Sequence, residues 1–168
     1  MSAAPIAYVG LGANLARAGA TPEQTLNAAI DMLAELPQSR LEASSRLYVS
    51  DPVDAGGPPY FNRVARLRTR LPAQALLDQM QLIEQGFGRE RPYRNAPRTL
   101  DLDLLLLDDQ VIYTPRLVVP HPRMHERLFV LMPLAELEPE LVIPGRGKVT
   151  DHLDVVAATR TQRCAPAN

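Results

Sequence analysis

The chain has 168 residues, a formal net charge of −1 and a single cysteine, Cys164. That length suits one domain with its own core, and the balanced charge excludes a general attraction to nucleic acid or to a membrane surface. One cysteine cannot close an internal disulfide, no apolar run approaches the ~20 residues of a membrane span, and residues 1–5 lack the basic stretch of a signal peptide, so the cytoplasm is the expected compartment.

Residues 6–11 read as a buried strand and 12–14 as a turn. Thr21, Pro22 and Gln24 mark a helix start: Thr as N-cap, Pro at the first helical position, Gln three residues past the cap. The helix runs to about Leu36, before Pro37, and residues 41–48 read as a second strand. Residues 50–59 hold three prolines, two glycines and two aspartates, the composition of a long functional loop. A third strand covers 60–70. An amphipathic helix over 72–85 buries Leu76, Leu77, Met80 and Ile83, with Gln81 and Glu84 as neighbours on an adjacent face. A second irregular stretch, 87–97, is rich in Arg, Gly and Pro. Residues 100–107 form a central strand, Asp108 and Asp109 a turn, and Val111 and Ile112 a short edge strand that pairs back. Helical pieces at 126–131 and 134–137 are split by Pro133, and Thr150 caps a last helix over 151–158. The order strand, helix, strand, strand, helix, strand is that of a ferredoxin-like α+β core, βαββαβ, with a mainly antiparallel sheet flanked by helices and with C-terminal additions. Residues 1–160 make one domain, and 161–168 a frayed tail.

The chemistry concentrates at Leu100-Asp101-Leu102-Asp103. Alternate strand residues share a face, so Asp101 and Asp103 point one way and Leu100, Leu102, Leu104 and Leu106 the other. Two carboxylates about 6–7 Å apart at their Cα atoms can converge on cations ~3.5–4 Å apart, the spacing of two-metal phosphoryl-transfer sites. Oxygen ligands alone suit Mg²⁺. Two solvated aspartates are the bland alternative, but aspartate is depleted in strands, and here a pair interrupts a leucine run. Only Lys148 among the 18 basic residues is a lysine. Phosphate contacts therefore fall to arginine, and a P-loop is excluded. Arg89, Arg91, Arg94 and Arg98 precede the strand; Arg116, Arg123 and Arg127 follow it. Arg91 and Arg98 are the best placed, while a solvated surface is the commoner fate expected for several of these arginines. His121, held between Pro120 and Pro122, is balanced between a phosphate ligand and a structural donor, and His125 and His152 read as surface residues.

The chain resembles the 6-hydroxymethyl-7,8-dihydropterin pyrophosphokinase family of folate biosynthesis. The resemblance is carried by Tyr8-Val9-Gly10-Leu11-Gly12-Ala13-Asn14-Leu15, Ser45-Arg46-Leu47-Tyr48, Tyr60-Phe61-Asn62, Val119-Pro120-His121 with Arg127-Leu128-Phe129, and above all Pro97-Arg98-Thr99-Leu100-Asp101-Leu102-Asp103. It implies transfer of diphosphate from ATP to the pterin hydroxymethyl group, with release of AMP and with two Mg²⁺ ions held by Asp101 and Asp103. Catalytic roles fall to Arg89, Arg98, Asp101 and Asp103. The pterin would be held by Asn62, Ser50, Asp51, Pro52, Val53 and Tyr60, with Phe129 stacking. ATP would meet Gln81, Glu84, Arg91, Arg98, Leu104, Arg116, His121 and Arg127. A monomer acting on small molecules, without nucleic acid or membrane, is expected. The chain departs from the family pattern at Asn95-Ala96, where Trp-Gly is frequent, and at Val118 and Pro122, where Thr and Tyr are common. A silent ferredoxin-like binding module and a nucleotidyl transferase are the competing readings. The first is disfavoured for RNA by aspartates on the central strand, and the second would release diphosphate instead of AMP.

Overall fold

A computed structural model describes residues 3–14, 19–51, 57–87 and 99–167. The first strand, β1 (Ile6–Ala13), is followed by helix α1 (Pro22–Ala34). The helix starts as the sequence requires: the Thr21 hydroxyl accepts from Gln24 N–H at 3.1 Å, and the Gln24 side chain accepts from Thr21 N–H at 2.9 Å. Two otherwise orphaned backbone donors are thus satisfied reciprocally. Strands β2 (Ser39–Ser44), β3 (Tyr48–Ser50) and β4 (Tyr60–Thr69) precede helix α2 (Ala73–Gly86) and strand β5 (Asp101–Leu107). Two short hairpins, β6 (Ile112–Tyr113) with β7 (Val118–Val119) and β8 (Val142–Ile143) with β9 (Gly147–Lys148), flank helix α3 (Leu128–Leu137). Helix α4 (Val149–Thr159) and strand β10 (Cys164–Pro166) follow. The main sheet is antiparallel in the order β10-β3-β4-β1-β5, with β2 also paired to β4.

Helices cover both faces of the sheet, so it has two apolar cores. On one side Val9, Leu11, Leu67, Leu102, Leu104 and Leu107 pack with Leu26 and Leu33 of α1 and Leu76 and Met80 of α2. On the other, Val64, Leu105 and Leu106 pack with Val130, Leu131 and Leu134 of α3. β5 serves both because its register against β1 shifts: Val9 pairs with Leu104 but Tyr8 with Leu106. The extra residue, Leu105, is a bulge that resets the alternation. This corrects the expected single leucine face. Leu102 and Leu104 share a core, and Leu106 joins the opposite one.

Other expectations shift for local reasons. The turn expected at 12–14 starts later, because β1 runs on to Ala13. The second strand is two, because Ser45 interrupts it: its hydroxyl accepts from Val64 N–H at 3.0 Å, in place of a ladder bond. Ile112 pairs with Val119 of β7, so the edge strand does not pair back on β5. Pro133 lies inside one continuous α3, where the buried contacts of Leu131 and Leu134 hold the two halves together despite one lost rung. α4 starts at Val149, whose fully buried side chain and hydrogen bond to Leu141 C=O (3.0 Å) set the start ahead of Thr150. Within the tail expected to fray, residues 164–166 form a strand: Cys164 and Ala165 pair with Ser50 and Val49, and Pro166 with Tyr48. His125 and His152 are half-buried, their rings edge to face at 5.5 Å.

Glu136 ties α3 to the sheet, accepting from Tyr48 O–H at 2.7 Å and from Arg46 N–H at 3.0 Å. Burial, reinforced by the neighbouring Glu136 carboxylate, pushes the Tyr48 hydroxyl up to about 12. A raised folded value means that its stabilisation is complete below pH ~10 and is lost as pH rises through about 12. Tyr48→Phe is expected to cost about 1 kcal/mol at neutral pH. It should also flatten the alkaline decline, measured by urea unfolding at pH 7 and across pH 10–12.

Candidate active site

Three neighbouring strands form the floor of a cleft of about 1150 Å³. Their register sets Asn62 of β4 opposite Gly12 of β1, and Gly12 opposite Asp101 of β5; one step along, Val64, Gly10 and Asp103 form the next row. With strands spaced about 4.8 Å, Asn62 and Asp101 stand roughly 10 Å apart across a residue with no side chain. A Cβ at Gly12 would come within 3.3 Å of the Asn62 side-chain oxygen Oδ1, so the glycine both makes room for that amide and leaves the floor open. Asn62 is buried, and its NH₂ donates to the Ser50 hydroxyl at 2.8 Å.

β5 is the outer strand of the sheet, and its open edge is occupied. Leu102 N–H donates to the buried Glu84 carboxylate at 2.9 Å, and Leu105 C=O accepts from His121 N–H at 2.9 Å. The half-buried Asp101 and Asp103 are thereby carried on a strand fixed along both edges. The residue just past α2 is tied to the approach to β5, since the Thr99 hydroxyl donates to Phe87 C=O.

The opposite wall is built by the segment leading into α3. The Arg127 guanidinium lies 5.6 Å from the centre of the Phe129 ring, a cation–π contact at the lip of the cleft. Burial lowers the proton affinity of Arg127, against the attraction of Asp103. Burial likewise lowers that of His121, again with Asp103 pulling the other way. His121 Nδ1 accepts from Arg123 N–H at 3.2 Å, so the neutral ring carries its proton on Nε2. A carboxylate pair facing cationic and neutral donors across the cleft suits a polyanion held through metal ions. Among the described residues no group of three or more His, Cys, Asp or Glu side chains could complete a metal's ligand set. That donor set fits Mg²⁺, which keeps waters and shares its substrate's phosphate oxygens.

The sequence model of 7,8-dihydro-6-hydroxymethylpterin-pyrophosphokinase (HPPK) matches residues 8–139. The chain belongs to the HPPK family. A 2-amino-4-hydroxy-6-hydroxymethyldihydropteridine pyrophosphokinase of Pseudomonas aeruginosa is 49% identical over 138 residues, 82% of this chain and 83% of that protein. The enzyme of the same name from Haemophilus influenzae is 40% identical over 146 residues, 86% of this chain and 89% of its own length. Among solved structures, an HPPK-DHPS in complex with substrates superposes with a TM-score of 0.72 at 12% identity, covering 94% of this chain and 44% of that one. At that identity the likeness shows the fold alone, and this chain spans less than half of the solved one.

Of the HPPK site residues expected from sequence, the cleft gathers Ser50, Asp51, Tyr60, Asn62, Asp101, Asp103, Arg127 and Phe129. Pro52, Val53, Arg89, Arg91 and Arg98 lie outside the described residues. Arg116 and Gln81 come together on the outer face of α2, where Arg116 bonds Gln81 at 3.2 Å and pairs with Asp78. The Leu104 side chain is buried in the α1–α2 core, so its backbone is the part left to meet a ligand. Glu84 faces β5 instead of sharing an open surface with Gln81. The sequence reading missed residues 160–163, which line the cleft, and missed the role of Gly12 in its floor. No periodicity in the polar C-terminal segment marks it, whereas the Gly-x-Gly of β1 opposite an asparagine was a usable signal.

Proposed function

We propose that the chain transfers diphosphate from ATP to the hydroxymethyl group of 6-hydroxymethyl-7,8-dihydropterin, releasing AMP, as a step of folate biosynthesis. Family membership supports the reaction, and the row Asn62-Gly12-Asp101 is the observation that carries it. It puts an amide able to read a heterocycle one glycine away from a carboxylate suited to phosphate-bound metal. Asp101 and Asp103 would hold two Mg²⁺ ions, which neutralise phosphate oxygens and the developing charge when bound. Asn62, Ser50 and Asp51, with Pro52, Val53 and Tyr60, orient the pterin, and Phe129 stacks on its ring. Arg127 and His121, with Arg89, Arg91 and Arg98, clamp the triphosphate, and Arg116, Gln81, Glu84 and Leu104 lie toward the nucleotide. The pterin hydroxymethyl oxygen attacks the β-phosphorus and the bond to the α-phosphate oxygen breaks. The protein's part is alignment and a cationic surround, with no covalent intermediate.

The strand order β2-β4-β1-β5 supports a ferredoxin-like core, and the two apolar cores on one sheet support a single domain. No helix among the described residues is long and apolar enough to cross a membrane, and the proposed form is a cytoplasmic monomer. The test is incubation with ATP, Mg²⁺ and hydroxymethyl-dihydropterin, with nucleotides resolved by chromatography. AMP that forms only with pterin and Mg²⁺ both present is expected. Release of inorganic diphosphate with a nucleotidylated pterin, or no turnover, would sink the reading.

A further inference from the structure

The C-terminal segment spans the two walls of the cleft. At one end, Arg163 C=O accepts from Asp51 N–H at 3.3 Å, and β10 continues the pairing along β3. At the other, Gln162 reaches the entry to α3. Its amide oxygen accepts from Leu128 N–H at 2.9 Å, and its NH₂ donates to Glu126 C=O at 2.7 Å. These groups flank Arg127. Only one orientation of the amide satisfies both, because a backbone N–H must meet oxygen and a carbonyl must meet NH₂.

The fold leaves this place open for such a clamp. The N-cap of α3 is Arg127 itself, and it makes no side-chain cap hydrogen bond, so the first-turn donor at Leu128 depends on a residue 34 positions away. The chain arrives there by a sharp reversal at Arg160, which ends α4 in the left-handed region at φ 55°. Holding the peptides on both sides of Arg127 fixes the direction in which its guanidinium and the ring of Phe129 leave the backbone, and both line the cleft.

We infer that Gln162 is a positioning residue for the reaction, setting Arg127 and Phe129 through the peptides that flank Arg127. The inference rests on the proposed reading of the cleft as the substrate site, and it deepens that reading. Its test has two independent readouts. Amide exchange followed by NMR reports the clamp directly: in Gln162→Leu, Leu128 N–H is expected to exchange at least tenfold faster, and an unchanged rate overturns the inference whatever reaction the protein performs. Steady-state kinetics report the consequence: folded Gln162→Leu should raise KM for the pterin at least fivefold and lower kcat several-fold. Gln162→Glu keeps the acceptor for Leu128 N–H and loses the donor to Glu126, so it should fall between. A merely structural residue would lower the melting temperature and leave KM and kcat of the folded protein unchanged. Should Gln162→Leu fail to fold, Gln162→Glu decides: intermediate kinetics support the inference, and wild-type KM and kcat overturn it. Absence of AMP from the wild type would count against the proposed reaction, while the exchange readout would still judge the clamp.

Discussion

Asp101→Ala and Asp103→Ala are each expected to reduce turnover by about a thousandfold or more, at least ~4 kcal/mol of transition-state stabilisation. Each removes one of two carboxylates that face the cleft from adjacent same-side positions of β5. Their effects should not add, since a site built on two acids is already incomplete once one is gone. Both side chains stand on the cleft side of a strand whose other face is packed with Leu102 and Leu104, so the core is untouched. Far-UV circular dichroism and the urea midpoint should stay close to wild type. Near-normal rates in either variant would remove the metal assignment. Collapse of the fold would show that the acids serve structure first.

Glu84→Ala is the second large effect, and it falls first on stability. The residue is 3% exposed, and its carboxylate accepts a hydrogen bond from Leu102 N–H at 2.9 Å, on the open edge of β5. Its removal leaves a buried backbone donor unpaired, a loss of about 2–3 kcal/mol. For a chain of this length that lowers Tm by roughly 5–10 °C. Glu84→Gln keeps an acceptor oxygen and should lose less than half as much. Because Leu102 lies between the two acids, turnover of the folded Glu84→Ala protein should also fall. A direct contact with ATP makes a different demand: KM for ATP would rise while the melting temperature held. Differential scanning calorimetry beside ATP titrations of the same variants separates the two.

These three residues mark how far the sequence could be read. Asp101 and Asp103 were legible because a period of two assigns a face to every residue of a strand, and carboxylates on a strand need a reason. The helix start at Thr21 was legible because capping is local chemistry. Glu84 was not, since helical spacing makes it a neighbour of Gln81 but says nothing of the strand edge that arrives beside it. Leu106 was misplaced for a related reason: a bulge is decided by the pairing partner, here Tyr8 against Val9, and leaves no trace in β5 itself. The C-terminal segment failed for a third reason. Its strand is three residues long and edge-paired, ends in proline, and exists only because β3 offers an open edge. Long-range partners, and not weak local propensity, account for what the sequence left unread.

The bulge at Leu105 also bears on motion. One extra residue lets a single strand anchor in both cores, with Leu102, Leu104 and Leu107 on one side and Leu105 and Leu106 on the other. A segment gripped from two sides opens only when the whole domain does, so its backbone belongs to the slowest-exchanging, most cooperative part of the molecule. The acids therefore act as a fixed anvil. The substrates are what is brought down onto carboxylates that stay where the fold has put them.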